Sequence, residues 1–499
     1  MGPGVSAERE VKLAASPAFR MPSLAELGDD VLIIPRDPTR LQTVYFDTGD
    51  FRLARWGVSL RHRQGQGWTV KIPAESDGDL LVRGEFAFPG EDAAYPPDEA
   101  LDLIRAYVRT ATLKPVVRLR TIRRLSQLLD MDDRLLADVV DDEVSVLSGR
   151  RIAARFRELE VEITDDTPPW LLEEVLGRLR SAGAGAPDPT PKYVRAVGPL
   201  ATQQAEVAVQ KLPPGATVGD VLRRAIGAST VHLLRSDAVM RLDVDPEGVH
   251  QARVATRRLR SDLRTFRDTL DPEWSTQLRE ELRWLGTALG EARDADVLFD
   301  RLQRRAVSIP ATEAPGVAQV IDALAQRRKE AHAALLECLR TERYVALLDR
   351  LVEASRDPRL LPDADVSIKA ILPGLLDRPW GHLRAAVKEA GSRPTDGQLH
   401  AIRIRAKRVR YAAEAVAPLM GKPARRFAEA AARLQTVLGE HNDAVVAESW
   451  LRSWAADRRS GDAAFAAGML AGIERAAAQT VRDGWRKTWK ALDRAKEAM

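Results

Sequence analysis

The sequence predicts a multidomain α+β protein: an antiparallel β region followed by an all-α region that repeats itself. Three observations predict it. Up to about residue 200, short runs that alternate apolar and polar are separated by Gly, Pro and Asp, the punctuation of strands and turns. Beyond it, Ala, Leu, Arg and Glu recur at helical period. Within that second part, His250-x2-Arg253-x3-Arg257-x2-Arg260-x3-Arg264 returns as His400-x2-Arg403-x3-Lys407-x2-Arg410. A chain of 499 residues is also too long for one core.

In chain order, the alternation places strands at 8–13, 43–46, 58–63, 68–72, 82–88, 116–122, 135–139, 144–147 and 158–163, with helices at 98–109 and 169–182. This reads as an antiparallel sheet able to close on itself, covering residues 1–202. Residues 203–215, which contain Pro213-Pro214-Gly215, read as a connection. Residues 216–499 read as roughly eight to ten helices, broken near Asp245-Pro246, Asp271-Pro272, Ile309-Pro310, Leu361-Pro362 and Arg393-Pro394. Each basic stripe is followed by a second matched segment, Leu289-Gly290-Glu291-Ala292-Arg293-Asp294-Ala295 and Leu438-Gly439-Glu440-His441-Asn442-Asp443-Ala444. Matched pairs at matched spacing indicate two similar bundles, about 216–360 and 361–499, related by approximate twofold symmetry.

Hydrophobic residues make up 45% and charged residues 30%, which fits a globular protein. The net charge is only +4, so any anion site must come from local clustering. The single cysteine, Cys338, excludes an internal disulfide framework and a multi-cysteine metal centre. No apolar run is long enough to span a bilayer, so cytoplasm is the expected compartment.

Two patterns carry chemistry. In a strand, residues two apart share a face, so Glu8, Glu10 and Lys12 project together. Two carboxylates beside one ammonium suit a divalent cation next to a phosphate. The pattern recurs at Arg61 and Arg63, Arg83 and Glu85, Arg118 and Arg120, and Glu158, Glu160 and Glu162. A barrel lined in this way holds a charged ligand: its carboxylates take hard metals such as Mg2+ or Mn2+, and its Arg and Lys take phosphate oxygens. In the helical part, alternating steps of three and four keep each stripe on one helix face. Such a like-charge stripe suits a regularly charged polyanion. Asp294 and Asp443 read as ties between helices or partners of the stripe arginines.

Together these residues resemble the CYTH–CHAD proteins. The CYTH part resembles the triphosphate tunnel metalloenzymes through Glu8-x-Glu10-x-Lys12, Tyr45-Phe46-Asp47-Thr48, Leu60-Arg61-His62-Arg63, Lys71, Arg83-Gly84-Glu85, the Arg118–Arg124 segment, Glu158-Leu159-Glu160-Val161-Glu162 and Lys192. The CHAD part resembles the conserved-histidine α-helical domain through the stretch from His250 to Arg260 and its second copy from His400 to Arg410. The resemblance implies a closed eight-stranded tunnel and metal-dependent hydrolysis of inorganic triphosphate to diphosphate and phosphate.

It further implies that Glu8, Glu10, Glu158 and Glu160, with Asp141 chosen over Asp138, hold the metal. Arg61, Arg63, Lys71, Arg83, Arg118, Arg120, Arg123 and Lys192 would bind phosphates, with Lys12 and Glu85 acting in catalysis. His250, Arg253, Arg257, Arg260, Arg264, His400, Arg403, Lys407 and Arg410 would bind long-chain polyphosphate, in association with polyphosphate granules. Two alternatives stay open: a non-catalytic polyphosphate-binding protein, and an adenylate cyclase-like activity on ATP. A P-loop is excluded, since no Gly-x4-Gly-Lys-Ser/Thr occurs. The scarcity of aromatics in the stripes argues against nucleic acid.

Overall fold

The alternating runs of the first part close into a barrel. A computed structural model describes residues 4–25, 27–28, 30–74, 80–90, 94–243, 245–457 and 461–499. It divides into two compact units, with the boundary between Glu206 and Val207, inside the expected connection.

The first unit contains β1 (Gly4–Ala15), β2 (Leu32–Pro35), β3 (Thr39–Asp47), α1 (Arg52–Arg55), β4 (Ser59–Arg63), β5 (Gly67–Pro73), β6 (Leu81–Phe88), α2 (Asp98–Val108), β7 (Lys114–Leu129), β8 (Leu135–Ser148), β9 (Arg151–Ile163), α3 (Pro169–Ser181) and α4 (Lys192–Val197). Strands pair in the order β7-β3-β4-β5-β6-β1-β9-β8, and β8 pairs back onto β7. That last pairing closes an eight-stranded antiparallel barrel and removes its edges. The short β2 extends the β7 edge beyond β3. Residues 135–139 and 144–147, read as two strands, are parts of the single strand β8, because the intervening acids remain in register with β9.

Strand parity decides what the barrel holds. Val11 and Leu13 of β1, Val139 of β8, and Leu159 and Val161 of β9 point outward. There they pack under Leu171, Val175 and Leu179 of α3. The opposite parity, which includes Glu8, Glu10, Lys12 and Glu160, therefore points inward. At one end the interior is apolar: Tyr45, Val117, Leu119, Val144 and Val146 pack on Tyr193 and Val194 of α4. Tyr45 and Tyr193 stack with ring centroids 5.0 Å apart. Helix α4 thus closes that end. The β4–β5 turn needs glycine at Gly67, whose φ is 79° and where a Cβ would lie 2.6 Å from the Phe88 carbonyl.

The second unit contains α5 (Val218–Leu242), α6 (Pro246–Thr265), α7 (Pro272–Ala306), α8 (Ala314–Arg340), α9 (Glu342–Arg356), α10 (Ile368–Glu389), α11 (Asp396–Met420), α12 (Lys422–Ala456) and α13 (Gly461–Glu497). The expected breaks are helix starts as much as stops. Pro246 and Pro272 open α6 and α7, where a missing N–H costs nothing, behind the capping residues Asp245 and Asp271. Contacts follow the internal repeat: α6 touches α11, α7 touches α12, and α8 touches α13. Leu298, Leu302, Val320 and Leu324 from the first repeat share a core with Ala447, Leu451, Ala467 and Leu470 from the second. Buried Arg301 of α7 joins them further, bonding Glu474 at 2.7 Å and Glu440 at 2.9 Å. No helix is long and apolar enough to cross a membrane.

Candidate functional site

Inside the barrel, pairing register brings the inward charges together. Lys12 lies opposite Glu160, Glu10 opposite Glu162, Glu8 opposite Arg83, Lys71 opposite Glu85, and Arg123 opposite Asp142. Of these, Glu8, Lys12, Lys71, Arg83, Glu85, Arg123, Glu160 and Glu162 line a cavity of about 150 Å³ with Tyr45, Arg61, Arg63 and Lys192, and Glu10 and Asp142 lie buried behind its wall. Lys192 enters from the first residue of α4, so the plug helix aims it inward.

One side of the cavity is a lattice of alternating charge. Lys12 Nζ lies 2.6 Å from Glu160 and 3.3 Å from Glu10. Lys192 Nζ lies 2.9 Å from Asp142, 2.9 Å from Glu158 and 2.8 Å from Glu160. Arg123 forks onto Asp142 at 3.0 and 2.7 Å and reaches Glu160 at 3.1 Å. Burial opposes ionisation of Glu160, but Lys12, Lys192 and Arg123 outweigh it and hold the carboxyl well below its usual range. The same pairing works in reverse on Lys12 and Lys192, whose ammonium groups stay charged despite burial.

A second cluster is acidic. One oxygen from each of Glu8, Glu10 and Glu162 lies within 4.8 Å of the others. Glu8 Oε2 and both Glu10 oxygens are buried without a hydrogen bond. Burial, with Glu160 and Glu8 nearby, pushes Glu162 up to about 7, and burial foremost raises Glu10. Converging hard oxygen donors with unfilled lone pairs fit Mg2+ or Mn2+.

Facing this cluster is a basic wall. Lys71 bonds Glu8 and lies 2.8 Å from Glu85, and Arg61 lies 3.3 Å from Glu85. Burial raises the Glu85 carboxyl, but Lys71 and Arg61 bring it below its ordinary value. Among the described residues, Arg63 and Arg83 pair with no carboxylate. Burial first, then Arg61, push Arg63 down to about 10. Two guanidiniums without an acidic partner on the wall of one cavity fit an anion.

Most of the residues implicated by sequence meet here: Glu8, Glu10, Lys12, Arg61, Arg63, Lys71, Arg83, Glu85, Arg123, Glu158, Glu160 and Lys192. Three do not. Asp141 points outward, where Arg157 forks onto it at 2.7 and 2.6 Å; its neighbour Asp142 points inward instead, onto Arg123 and Lys192. Arg118 and Arg120 are exposed on the outer face of β7, because Val117 and Leu119 take the inward positions against the plug. Glu158 and Glu160 meet lysines, and Glu162 is the acid that converges with Glu8 and Glu10. Glu162 was legible as the third member of an alternating run. Asp47, in the Tyr45–Thr48 segment, is structural: its carboxylate accepts from the Thr48, Leu53 and Ala54 amides at 2.7, 2.9 and 3.0 Å and fixes α1.

In the second unit both stripes lie where expected, on α6 and α11, and they meet. Arg253 reaches α7, bonding Asp294 at 2.8 Å and the Gly290 carbonyl at 3.0 Å. In the second repeat His400 of α11 meets Asn442 of α12 at 2.6 Å. Arg257 stacks on Tyr411 of α11, 5.1 Å from its centroid. Burial, then Arg403, Arg257 and Arg253, push Lys407 down to about 7. Burial and neighbouring arginines likewise lower Arg257, Arg260, Arg264 and His250. Arg410 is partly neutralised by Glu414 at 2.6 Å.

The fold and these two clusters define the class. A CYTH domain model matches residues 6–194 and a CHAD domain model matches residues 224–452, so the chain belongs to the CYTH–CHAD proteins, and its first unit to a superfamily of triphosphate tunnel enzymes. Its relatives include the uncharacterized proteins MT2285 and Rv2226 from two strains of Mycobacterium tuberculosis. Each is 32% identical over 493 residues, covering 93% of this chain and 92% of the relative. Among solved structures, PptA from Streptomyces chartreusis is similar at 23% identity and a TM-score of 0.47, over 55% of this chain and 99% of that one. The crystal structure of the CHAD domain from the plant Ricinus communis is similar at 26% identity and a TM-score of 0.49, over 57% and 95%.

Proposed function

We propose that the barrel is a metal-dependent inorganic triphosphatase and that the paired stripes of the helical unit bind long-chain polyphosphate. The observation that carries the reading is the juxtaposition, around one cavity, of an acidic triad with unsatisfied oxygens and a wall of arginines, two of which have no acidic partner among the described residues. A pure anion receptor has no use for the triad.

Triphosphate is densely negative, so a nucleophile approaches it against repulsion. Arg61, Arg63, Arg83, Lys71 and Arg123 neutralise that charge and hold the chain in line for displacement. Glu8, Glu10 and Glu162 would hold Mg2+ or Mn2+, which supplies positive charge at phosphate oxygens and makes water more acidic. Glu85, kept ionised by Lys71 and Arg61, orients the attacking water and receives its proton. The water oxygen bonds to the terminal phosphorus, the bridging P–O bond breaks, and its electron pair leaves on diphosphate. Lys12 and Lys192 stay protonated and steady the lattice of acids beside the reacting phosphates. The same reading puts the protein in the cytoplasm, beside polyphosphate granules.

The test is phosphate release from inorganic triphosphate, ATP, thiamine triphosphate and long polyphosphate, with and without Mg2+ or Mn2+. Metal-dependent release from triphosphate above the others is expected. Retained polyphosphate binding with no turnover in either metal would instead make the protein a receptor. Cyclic AMP from ATP would make the barrel a cyclase.

A further inference from the structure

The outer face of β7, β8 and β9 changes character along its length. Near Asp141 and Glu143 every outward arginine is paired: Arg124 lies 3.5 Å from Asp141 and 2.8 Å from Glu143, and Arg157 lies 2.6 Å from Asp141. Beyond Glu143 the outward positions of β8 are Ser145 and Leu147, and the acids stop. On β3 the residues opposite Arg120 and Arg118 are Gln42 and Val44. Arg118, Arg120, Arg150, Arg151 and Arg155 stand exposed there, with no ion pair among the described residues. Ser145 lies between Arg120 on one side and Arg155 on the other. That register sets Arg120 and Arg155 about 10 Å apart across two strand spacings, with Arg118 about 7 Å along from Arg120.

We propose that this outer face, at the end of the barrel plugged by α4, is a docking surface for a linear phosphate polyanion, polyphosphate itself. The proposal rests on the reading that the protein handles phosphate chains; it does not depend on turnover in the tunnel. The rigid sheet holds these guanidiniums at fixed spacings, and each can fork onto phosphate oxygens. Where the same face carries acids, its arginines are satisfied internally, so the unpaired end is a local feature rather than the habit of the sheet. Among the described residues no exposed aromatic side chain stands among these arginines to stack a base, which disfavours single-stranded nucleic acid. Ile152 is the one large exposed apolar side chain beside them among the described residues, too little for a membrane wedge.

The test uses the full chain with the helical stripes weakened by Arg253→Gln, Arg257→Gln and Arg403→Gln, so that binding at the barrel is measured above a low background. Long-chain polyphosphate affinity is followed between about 50 and 200 mM salt, with and without added Arg118→Gln, Arg120→Gln and Arg155→Gln. Removing three phosphate contacts is expected to reduce the slope of log affinity against log salt by about 2. Lysine at the same three positions should restore most of the slope, separating lost charge from a damaged fold. An unchanged slope overturns the proposal. So does a loss confined to single-stranded RNA or to phosphatidylserine vesicles, which would assign the face to those partners. Triphosphate hydrolysis, measured on the same proteins, is expected to be equal with and without the three barrel substitutions. If it is absent throughout, the catalytic reading fails while the salt slope still decides the docking surface.

Discussion

In the barrel, Lys12 and Lys192 are buried within 2.6–2.9 Å of carboxylates, and their neighbours hold them charged. Between α6 and α11, Lys407 is half-buried among Arg253, Arg257 and Arg403, and its neighbours push it toward neutrality. The same residue type is driven in opposite directions by what surrounds it. On the proposed function, mixed charge builds a cavity stable by itself and suited to a ligand bringing both metal and phosphate. Like charge builds a surface that, on the same proposal, a polyanion would relieve, with an affinity that depends on salt and pH.

The sharpest way to break this comparison is to remove the triad's carboxylates. Glu8→Gln with Glu10→Gln should lower triphosphate hydrolysis by more than about 100-fold, beyond what disturbing the surroundings of a metal ligand costs. Polyphosphate affinity should not change. Turnover surviving in that variant would remove the metal from these residues. Next comes reversal of the paired stripes. Arg257→Glu with Arg403→Glu should weaken polyphosphate binding by about 100-fold, each charged contact contributing about 1.5–3 kcal/mol. Triphosphate hydrolysis should stay near normal, and parallel loss of both activities would mean one shared site.

A smaller effect separates the two lysine environments by pH. Lys407 titrates at about 7 when free, and a bound polyanion raises that value, so binding takes up a proton. The favourable contribution is complete below about pH 7 and is lost as pH rises through the bound-state value. Affinity should fall by up to about tenfold per pH unit over that window. Lys407→Gln should flatten the dependence in titrations of polyphosphate at fixed ionic strength; an unaltered profile in that variant would assign the proton elsewhere. The finest distinction is between adjacent acids. Asp141→Asn should lower stability by up to about 3 kcal/mol by breaking a buried pair with Arg157 while leaving activity near normal. Asp142→Asn should raise KM for triphosphate, read from phosphate-release kinetics, and an effect from Asp141→Asn alone would reverse the assignment.

Much of this was legible because strand parity is strict. Once Glu8, Glu10 and Lys12 share a face, the whole of β1 is assigned, and the acids of β9 follow. Parity gives two faces without saying which is inside. Arg118 and Arg120 share a face as expected, but it is the outer one. The alternate Val117 and Leu119 take the inward positions and fill the plugged end. Asp141, Asp142 and Glu143 are consecutive, so acids fall on both faces and only pairing with β7 and β9 separates them. Lys192 follows Pro191, and proline just before a first helical residue is a helix-start signal that places Lys192 at the head of α4. In the helical unit each stripe was visible locally. Their meeting was not, because it depends on packing between helices far apart in sequence.

Glu206 carries a practical consequence. Its carboxylate accepts from the Trp56 indole at 3.0 Å and from the Arg109 guanidinium at 2.6 Å, tying the last residues of the first unit to its interior. An excised barrel ending at residue 202 would strip that anchor from Arg109 and forfeit solubility or cooperative melting. Expression of the first unit by itself should therefore extend at least through residue 206.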